Sequence, residues 1–199
     1  MSPLGSITRA KRPAIARGDN TGWHSCILCV LGGKVSEFFE DVWQRSCAIF
    51  ALPHESSPSS SPLQTLIQNG WNVTLGLMEQ QTYHQGDEPP IIFRNREMVD
   101  LHSDYDDSFS SAFLDGCSIV VNHADLQDPY IAEVCQDLQL SLPHAFANVY
   151  MTPQNQQAVP AHADDRDVLI VQIYGSKESW KVYENIPIPY PYYKVQFCY

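Results

Sequence analysis

No stretch of this sequence approaches the roughly eighteen consecutive apolar residues that a membrane-spanning helix needs. Residues 1–20 carry basic side chains but have no apolar block behind them, which excludes a secretory signal peptide of the usual form. We therefore expect a soluble, intracellular protein. The Arg, Lys and Ser content of the same segment would also suit an organelle transit sequence, so that alternative stays open.

Basic charge is also scarce. The chain has 12 Lys plus Arg against 23 Asp plus Glu, which gives a formal net charge of -11. This balance argues against nucleic acid as the main partner, because the phosphate backbone is itself negative. It suits a basic protein or peptide better, although a solvated acidic surface without any partner would have the same composition.

Cysteines are few and irregularly spaced. They stand at positions 26, 29, 47, 117, 135 and 198. Such spacing in a chain of 199 residues does not resemble a secreted disulfide framework, and it favours a reducing compartment. Cys26 and Cys29 could form half of a zinc site. No second pair of ligands follows at finger-like spacing, however, and small buried thiols are the alternative.

The composition that remains, with 44% apolar and 18% charged residues, predicts one principal globular domain. Residues 1–22 are polar and unpatterned, and we expect a disordered leader there. Residues 23–115 are predicted to be a helical and mixed region. It would contain a helix of about ten residues with Ser36 as its N-cap, a Ser/Pro-rich linker at 54–64, and then weak helix signals mixed with turns.

After Gly116 the sequence signals for strands and helices are clearer. "CSIVVN" predicts a short strand, and "DPYIAEVCQDLQL" predicts a helix that is capped by Asp128 and has Pro129 at its first position. "AFANVYMT" predicts another strand. "DVLIVQIYGSKESWKVYE" predicts two strands joined at Gly175 and Ser176, a hairpin whose apolar stretch is buried on both sides.

His, Ala and Asp occur together twice, at residues 123–125 (the first HAD triplet) and at residues 162–164 (the second HAD triplet). On a strand, residues i and i+2 project from one face, so a His and an Asp so spaced can aim at one metal ion. Two histidines and one carboxylate form a facial triad, which leaves positions open for a co-substrate and oxygen at ferrous iron. The second triplet precedes an apolar strand pattern, so His162 and Asp164 are the candidate metal ligands. The first triplet lies between a strand and a helix, where a solvated His and a turn Asp are expected.

Lys177 follows the predicted hairpin turn, fifteen residues after His162. A lysine at this place could reach back toward the metal-binding face. There it would pair with the carboxylate of a small acid through a charge-assisted hydrogen bond. A solvated turn lysine is the alternative interpretation of the same pattern.

These residues carry a resemblance to a known family. "NVYMTPQNQQAVPAHADDRDVLIVQIYGSKESWKVY" resembles the JmjC segment of the ribosomal oxygenases, cupin-fold histidyl and arginyl hydroxylases and lysine demethylases that use iron and 2-oxoglutarate. The likeness is dense over residues 146–184 and looser over residues 34–191, where "FFEDVWQRS" is similar to a Phe-Phe-x-x-x-Trp helix of the family. The resemblance implies an α+β chain: a partial cupin, or double-stranded β-helix of the jelly-roll type, with N-terminal helices.

The resemblance also implies an activity, that of a dioxygenase using Fe(II), 2-oxoglutarate and O2 to hydroxylate ribosomal proteins or to demethylate histone lysines. His162 and Asp164 would bind the iron, Lys177 would hold the distal carboxylate of 2-oxoglutarate, and Asn148 and Tyr150 would line the pocket. The implied partner is a basic protein, with no direct binding to nucleic acid or membrane. The implied location is nuclear or nucleolar, with a cytoplasmic or organellar one as the alternative.

The sequence departs from the family pattern at the third metal ligand. In the family this ligand is a histidine on a later strand, whereas all seven histidines of this chain lie at or before position 162. The expectation is a C-terminally truncated domain without the dimerisation region of the family. Residues 116–191 would form a partial JmjC cupin core, with the barrel incomplete at its C-terminus, and residues 192–199 a divergent tail. The alternative function is a non-catalytic fragment or an acidic protein-interaction module.

Overall fold

A computed structural model shows the fold of part of the chain. It describes residues 48–49, 61–79, 89–106, 108–140, 142–160, 162–164, 166–176 and 195–196. The predicted leader, the helix expected after Ser36, and the pair Cys26 and Cys29 lie outside these described residues.

The described residues form five α-helices and six strands. The helices are α1 (Pro62–Gln68), α2 (Gly70–Glu79), α3 (Leu101–Tyr105), α4 (Phe109–Leu114) and α5 (Pro129–Gln139). The strands are β1 (Ile91–Arg94), β2 (Glu97–Val99), β3 (Ser118–Val121), β4 (Val149–Met151), β5 (His162–Ala163) and β6 (Val195–Gln196). A short 3-10 helix, Ala124–Leu126, stands between β3 and α5. None of the helices in the described part of the chain is both long enough and apolar enough to cross a membrane.

Helix α5 begins where the sequence predicts it. The Asp128 carboxylate accepts hydrogen bonds from the backbone N–H groups of Tyr130 and Ile131 at 2.9 and 3.0 Å, and Pro129 takes the first helical position. These bonds satisfy N–H groups that have no partner within the helix. One face of the helix is buried against the core through Ile131, Val134 and Cys135, with Leu138 partly buried beside them. The prediction for this helix is confirmed.

Strand β3 is the central element of the main sheet. The four-stranded sheet has the order β2-β1-β3-β4, and all of its pairings are antiparallel. All four residues of β3 are buried, as expected for an apolar strand with neighbours on both edges. Its pairing with β4 places Val120 opposite Tyr150 and Val121 opposite Val149. The strands predicted from "CSIVVN" and "AFANVYMT" are both present, the second one over three residues only.

The hairpin of β1 and β2 was not predicted from the sequence. Its two-residue turn consists of Asn95 and Arg96, which have φ values of 51° and 71°. Positive φ at both central residues is typical of the hairpin turn that matches strand twist, but Gly is its usual second residue. With Arg at this position, the sequence signal for the hairpin is weak.

The helices and the sheet share one core. Helix α1 packs against α5, and side chains from both meet those of α2 and of the sheet. The most buried members of this core are Leu63, Val73, Ile92, Ala112, Cys117, Ile119, Val121 and Ala124. The class is therefore α+β, as expected: helices packed on an antiparallel sheet that is open over the described residues, with β5 and β6 forming a separate pair.

The hairpin predicted from "DVLIVQIYGSKESWKVYE" is wrong over its described part. Residues 166–176 contain no strand, and Val168, Leu169 and Ile170 are 58%, 48% and 57% exposed. Only Val171 and Ile173, two positions apart, pack against the core. An apolar run indicates that a segment favours burial, but a strand also needs a neighbour that accepts its backbone hydrogen bonds. No described strand pairs with this segment.

This segment approaches helix α2 closely at Gly70. A Cβ atom at Gly70 would lie 2.7 Å from the carbonyl carbon of Ile173 and would overlap the carbonyl oxygen. Beside this contact, the rings of Trp71 and Tyr174 are 4.9 Å apart between centroids. The absence of a side chain at Gly70 thus allows the backbone of residues 171–174 to lie on the helix.

We expect Gly70→Ala to lower the free energy of unfolding by about 1–3 kcal/mol, because backbone atoms cannot move aside as a flexible side chain can. Gly76 provides the matched control, since it lies in the same helix and a Cβ there meets nothing within 4 Å. Gly76→Ala should raise the stability by about 0.5–1 kcal/mol. Urea unfolding of the three proteins measures both effects, and equal stability of Gly70→Ala and wild type would contradict the close approach.

Candidate metal site

The second HAD triplet lies on a strand, as its spacing suggests. His162 and Ala163 form β5, which pairs antiparallel with β6 so that His162 stands opposite Gln196 and Ala163 opposite Val195. Asp164 follows directly after the strand. The extended backbone at His162 and Ala163 brings the side chains of His162 and Asp164 to the same side.

The imidazole of His162 is held by a backbone carbonyl. Its Nδ1 atom lies 2.8 Å from the carbonyl oxygen of Pro160. A carbonyl oxygen can only accept a hydrogen bond, so Nδ1 carries the proton. In the neutral imidazole the lone pair is then on Nε2. Histidines that bind metals commonly donate their other ring N–H to a carbonyl or a carboxylate in this way.

The Nε2 atom of His162 faces the Asp164 carboxylate, with 3.7 Å between Nε2 and Oδ1. Two ligand atoms that each lie about 2.1 Å from one ion are about 3 to 4 Å apart, so a single ion could contact both. The two side chains are 23% and 43% exposed, which leaves the pair accessible from solvent. By distance, donor type and tautomer, His162 and Asp164 fit two positions of a metal site.

Asn148 directly precedes β4 and Tyr150 lies within it, about a dozen residues before this pair in sequence. Burial raises the pKa of the Tyr150 hydroxyl, the negative charge of Asp164 raises it further, and the Asn148 side chain acts in the opposite direction. Tyr150 is therefore within the electrostatic range of the Asp164 carboxylate. Of the five predicted site residues, His162 and Asp164 face each other, and Tyr150 lies within electrostatic range of Asp164.

The fifth predicted residue, Lys177, lies outside the described residues, which reach Ser176 in this part of the chain. Its predicted contact with a carboxylate stays a prediction. Over the described ranges, no cluster of three His, Cys, Asp or Glu side chains is arranged to hold a metal ion.

The first HAD triplet lies in a loop, as expected. His123 has a left-handed backbone conformation, with φ 49° and ψ 42°, and it precedes the 3-10 helix Ala124–Leu126. Its ring contacts Phe146, with 4.8 Å between ring centroids. The imidazole of the first triplet therefore packs on a phenyl ring.

Sequence reasoning missed two residues around this site, Phe146 and Arg166. The guanidinium carbon of Arg166 lies 4.8 Å from the centroid of the Phe146 ring, at cation–π distance. His144 contacts the same ring at 5.7 Å between centroids. The sequence offered one indication that these residues lie near the candidate site: Phe146 stands two positions before Asn148, and Arg166 stands two positions after Asp164. Residue spacing alone does not show, however, that the two positions meet.

Comparison with known proteins gives this arrangement a context. A family model described as "JmjC domain" matches residues 119–196. This range extends from β3 to β6 and includes His162 and Asp164, the metal-ligand pair. The match defines the class of the protein: it contains a JmjC domain. No solved structure matches the chain.

Curated relatives define the family more closely. "Bifunctional lysine-specific demethylase and histidyl-hydroxylase NO66" of Drosophila mojavensis is 35% identical over 153 residues, which is 73% of this chain and 16% of that protein. The Drosophila sechellia protein of the same name is 36% identical over 157 residues, 76% of this chain and 23% of that protein. "Ribosomal oxygenase 2" of Mus musculus is 43% identical over 47 residues, 23% of this chain and 10% of that protein. The chain belongs to the JmjC ribosomal oxygenase family, and it spans between 16% and 23% of the length of the two Drosophila relatives.

The electrostatic effect of Asp164 on Tyr150 can be tested by titration. Asp164→Asn should lower the pKa of Tyr150, because it removes the negative charge that disfavours the phenolate. NMR of tyrosine ring carbons as a function of pH measures this value. Asp106→Asn is the control, since Asp106 ends α3 and is not among the charges that act on Tyr150. An unchanged Tyr150 pKa in Asp164→Asn would show that the two side chains do not face each other.

Proposed function

We propose that this chain carries the site of an Fe(II)- and 2-oxoglutarate-dependent dioxygenase that acts on protein side chains. One observation carries the proposal: the Nε2 atom of His162 faces the Asp164 carboxylate at 3.7 Å while Nδ1 is bonded to the Pro160 carbonyl. Membership of the JmjC ribosomal oxygenase family supports it, as do the words demethylase and hydroxylase in the names of the relatives. We propose in addition that the sheet and the β5–β6 pair belong to a cupin, the fold that the JmjC match implies.

In this proposal His162 Nε2 and an Asp164 carboxylate oxygen hold the iron. When bound together with 2-oxoglutarate, ferrous iron would supply the activation of dioxygen for the oxidation of a substrate C–H bond. The Tyr150 hydroxyl would donate a hydrogen bond to an oxygen of the co-substrate. Lys177 would pair with the distal carboxylate of 2-oxoglutarate through a charge-assisted hydrogen bond.

The substrate in this proposal is a basic protein, either a ribosomal protein that is hydroxylated or a histone whose lysines are demethylated. The net charge of -11 supports a basic partner, because opposite charge raises the rate of encounter and suppresses acidic competitors. A nuclear or nucleolar location, where such partners are found, stays a prediction.

A second candidate function is an acidic module that binds a basic partner without chemistry. It is favoured by the observation that His162 and Asp164 have no third metal-ligand side chain beside them within the described residues. Both candidates predict binding of a basic protein. They differ in turnover, since only the dioxygenase converts 2-oxoglutarate to succinate.

The metal-ligand pair is tested by calorimetric titration with Fe(II) or Mn(II) under anaerobic conditions. His162→Ala and Asp164→Ala should each weaken metal binding by more than the 10- to 100-fold typical for loss of an outer-shell partner, because each removes a direct ligand. His102→Gln is the control, since it removes an imidazole from α3 and should leave the affinity unchanged. Equal affinity in wild type and His162→Ala would overturn the assignment of His162.

Turnover is measured separately, in air with Fe(II) and 2-oxoglutarate, as the succinate formed in the presence of a histone-tail or ribosomal-protein peptide. Peptide-dependent succinate that is lost in Asp164→Ala supports the dioxygenase. Metal and peptide binding without succinate supports the acidic module.

The basic partner can be tested independently of the metal. A Lys- and Arg-rich peptide should bind several-fold more weakly as ionic strength rises from about 0.05 to about 0.2 M, because salt screens exposed charges. A peptide with Glu in place of each basic residue is the matched control and should not bind. Fluorescence anisotropy measures both peptides, and salt-independent binding would contradict recognition by charge.

A further inference from the structure

We propose that the first HAD triplet, residues 123–125, is a positioning element for the candidate site, with Asp125 as its positioning residue. In this proposal the triplet holds residues 147–148 in place, so that Asn148 and Tyr150 face His162 and Asp164. The role of these residues in co-substrate binding rests on the proposed function. The contact itself does not.

Each residue of the first triplet bonds to residues 147–148. The His123 N–H donates to the Asn148 side-chain oxygen at 3.1 Å, and the Ala124 N–H donates to the Ala147 carbonyl at 2.8 Å. The Ala147 N–H in turn donates to the Asp125 carboxylate at 3.0 Å. Both backbone polar groups of Ala147 are thus satisfied by the triplet, immediately before β4 begins.

The bond from His123 also orients the Asn148 side chain. Because Oδ1 of Asn148 accepts from the His123 N–H, its amide NH2 group is left to donate. Asn148 is also a neighbour of Tyr150 along the chain, and its side chain lowers the pKa of the Tyr150 hydroxyl. The first triplet is therefore connected by hydrogen bonds to residues 147–148, which lead directly into β4, the strand that contains Tyr150.

The loop that contains the triplet is anchored at both ends. It follows β3, the buried central strand, and it leads into α5 through the cap formed by Asp128. Asp125 also lies close to Cys135 on α5. Burial raises the pKa of this thiol to about 11, and the nearby negative charge of Asp125 contributes in the same direction. The Asp125 carboxylate therefore stands between a core helix and Ala147.

A further contact, through the Phe146 ring, connects the first triplet to the segment that follows His162 and Asp164. The Phe146 ring meets the His123 ring at 4.8 Å between centroids, and it meets the Arg166 guanidinium at 4.8 Å. Arg166 follows Asp164 by two residues. A shift of residues 146–148 would therefore change the surroundings of the segment that follows the second HAD triplet as well as those of Asn148 and Tyr150.

Asp128 provides a matched control for Asp125. It lies in the same loop, and its carboxylate also accepts backbone hydrogen bonds, from Tyr130 and Ile131. These bonds cap α5 and do not reach residues 147–148. Loss of either carboxylate should lower stability by a similar amount, so a readout that responds to Asp125 alone reports on positioning.

The first measurement is hydrogen exchange of the full chain, followed at the backbone amides of residues 144–151. Asp125→Ala should speed exchange at Ala147 by about tenfold, because its N–H loses the acceptor. Asp125→Asn should restore slow exchange, since its side-chain oxygen can still accept. Asp128→Ala should leave this amide unchanged. Should Asp125→Ala fail to fold, Asp125→Ser carries the same test, because its shorter side chain does not extend to Ala147.

The second measurement is calorimetric affinity for Mn(II), and then for 2-oxoglutarate at saturating Mn(II). Asp125→Ala should weaken 2-oxoglutarate binding about five- to tenfold and change the metal affinity less than about twofold, since a positioning contact contributes roughly as much as one hydrogen bond. Equal weakening in Asp128→Ala, or unchanged exchange at Ala147 in Asp125→Ala, would overturn the positioning role. If the wild-type chain binds neither Mn(II) nor 2-oxoglutarate, the proposed function fails, and the exchange measurement alone then decides whether the triplet holds Ala147.

Discussion

Strand β3 pairs with β1 along one edge and with β4 along the other, and all four of its residues are buried. Its position depends on hydrophobic burial on both faces and on backbone hydrogen bonds on both edges, so β4 cannot move without breaking contacts in the core. The register that places Val121 opposite Val149 also brings the end of β3 beside the start of β4. The loop that leaves β3 therefore meets residues 147–148, directly before the strand that contains Tyr150. Tyr150 thus lies on an edge strand of a sheet whose central strand is fully buried.

The two HAD triplets contain the same residue types, but different atoms of these residues make the contacts in each triplet. In the second triplet the backbone of His162 is extended and paired with β6, so its side chain is the group left for chemistry. In the first triplet the left-handed conformation of His123 turns the chain, and the contacts to residues 147–148 come from two backbone N–H groups and one carboxylate. A metal-binding pattern of two residues is thus read correctly only together with the backbone conformation on which it lies. Composition and spacing are identical in the two cases.

Prediction from sequence succeeded where a local signal and burial agreed. Helix α5 has a capping Asp128, a Pro129 at its first position and an apolar face, and each of these acts within the helix itself. The β1–β2 hairpin was missed because its turn uses Asn95 and Arg96 with positive φ and contains no glycine. The apolar residues at 168–170 were wrongly predicted to be a buried strand, because hydrophobicity describes the preference of a segment and not the presence of a neighbour. Gly70 shows the same limit, since only the packed segment that ends near Ile173 explains why a side chain is excluded there.

What the sequence by itself determined is local. The spacing of His162 and Asp164 brings an imidazole and a carboxylate together wherever the backbone is extended, and Pro160 lies close enough along the chain to orient the ring. The family was also evident from the residues around this pair. Only the tertiary structure decided that the charge of Asp164 acts on Tyr150, and that the first HAD triplet bonds to residues 147–148. The physical reason is that contacts between distant segments depend on strand order and register, which follow from the packing of the whole core and cannot be read from any one segment.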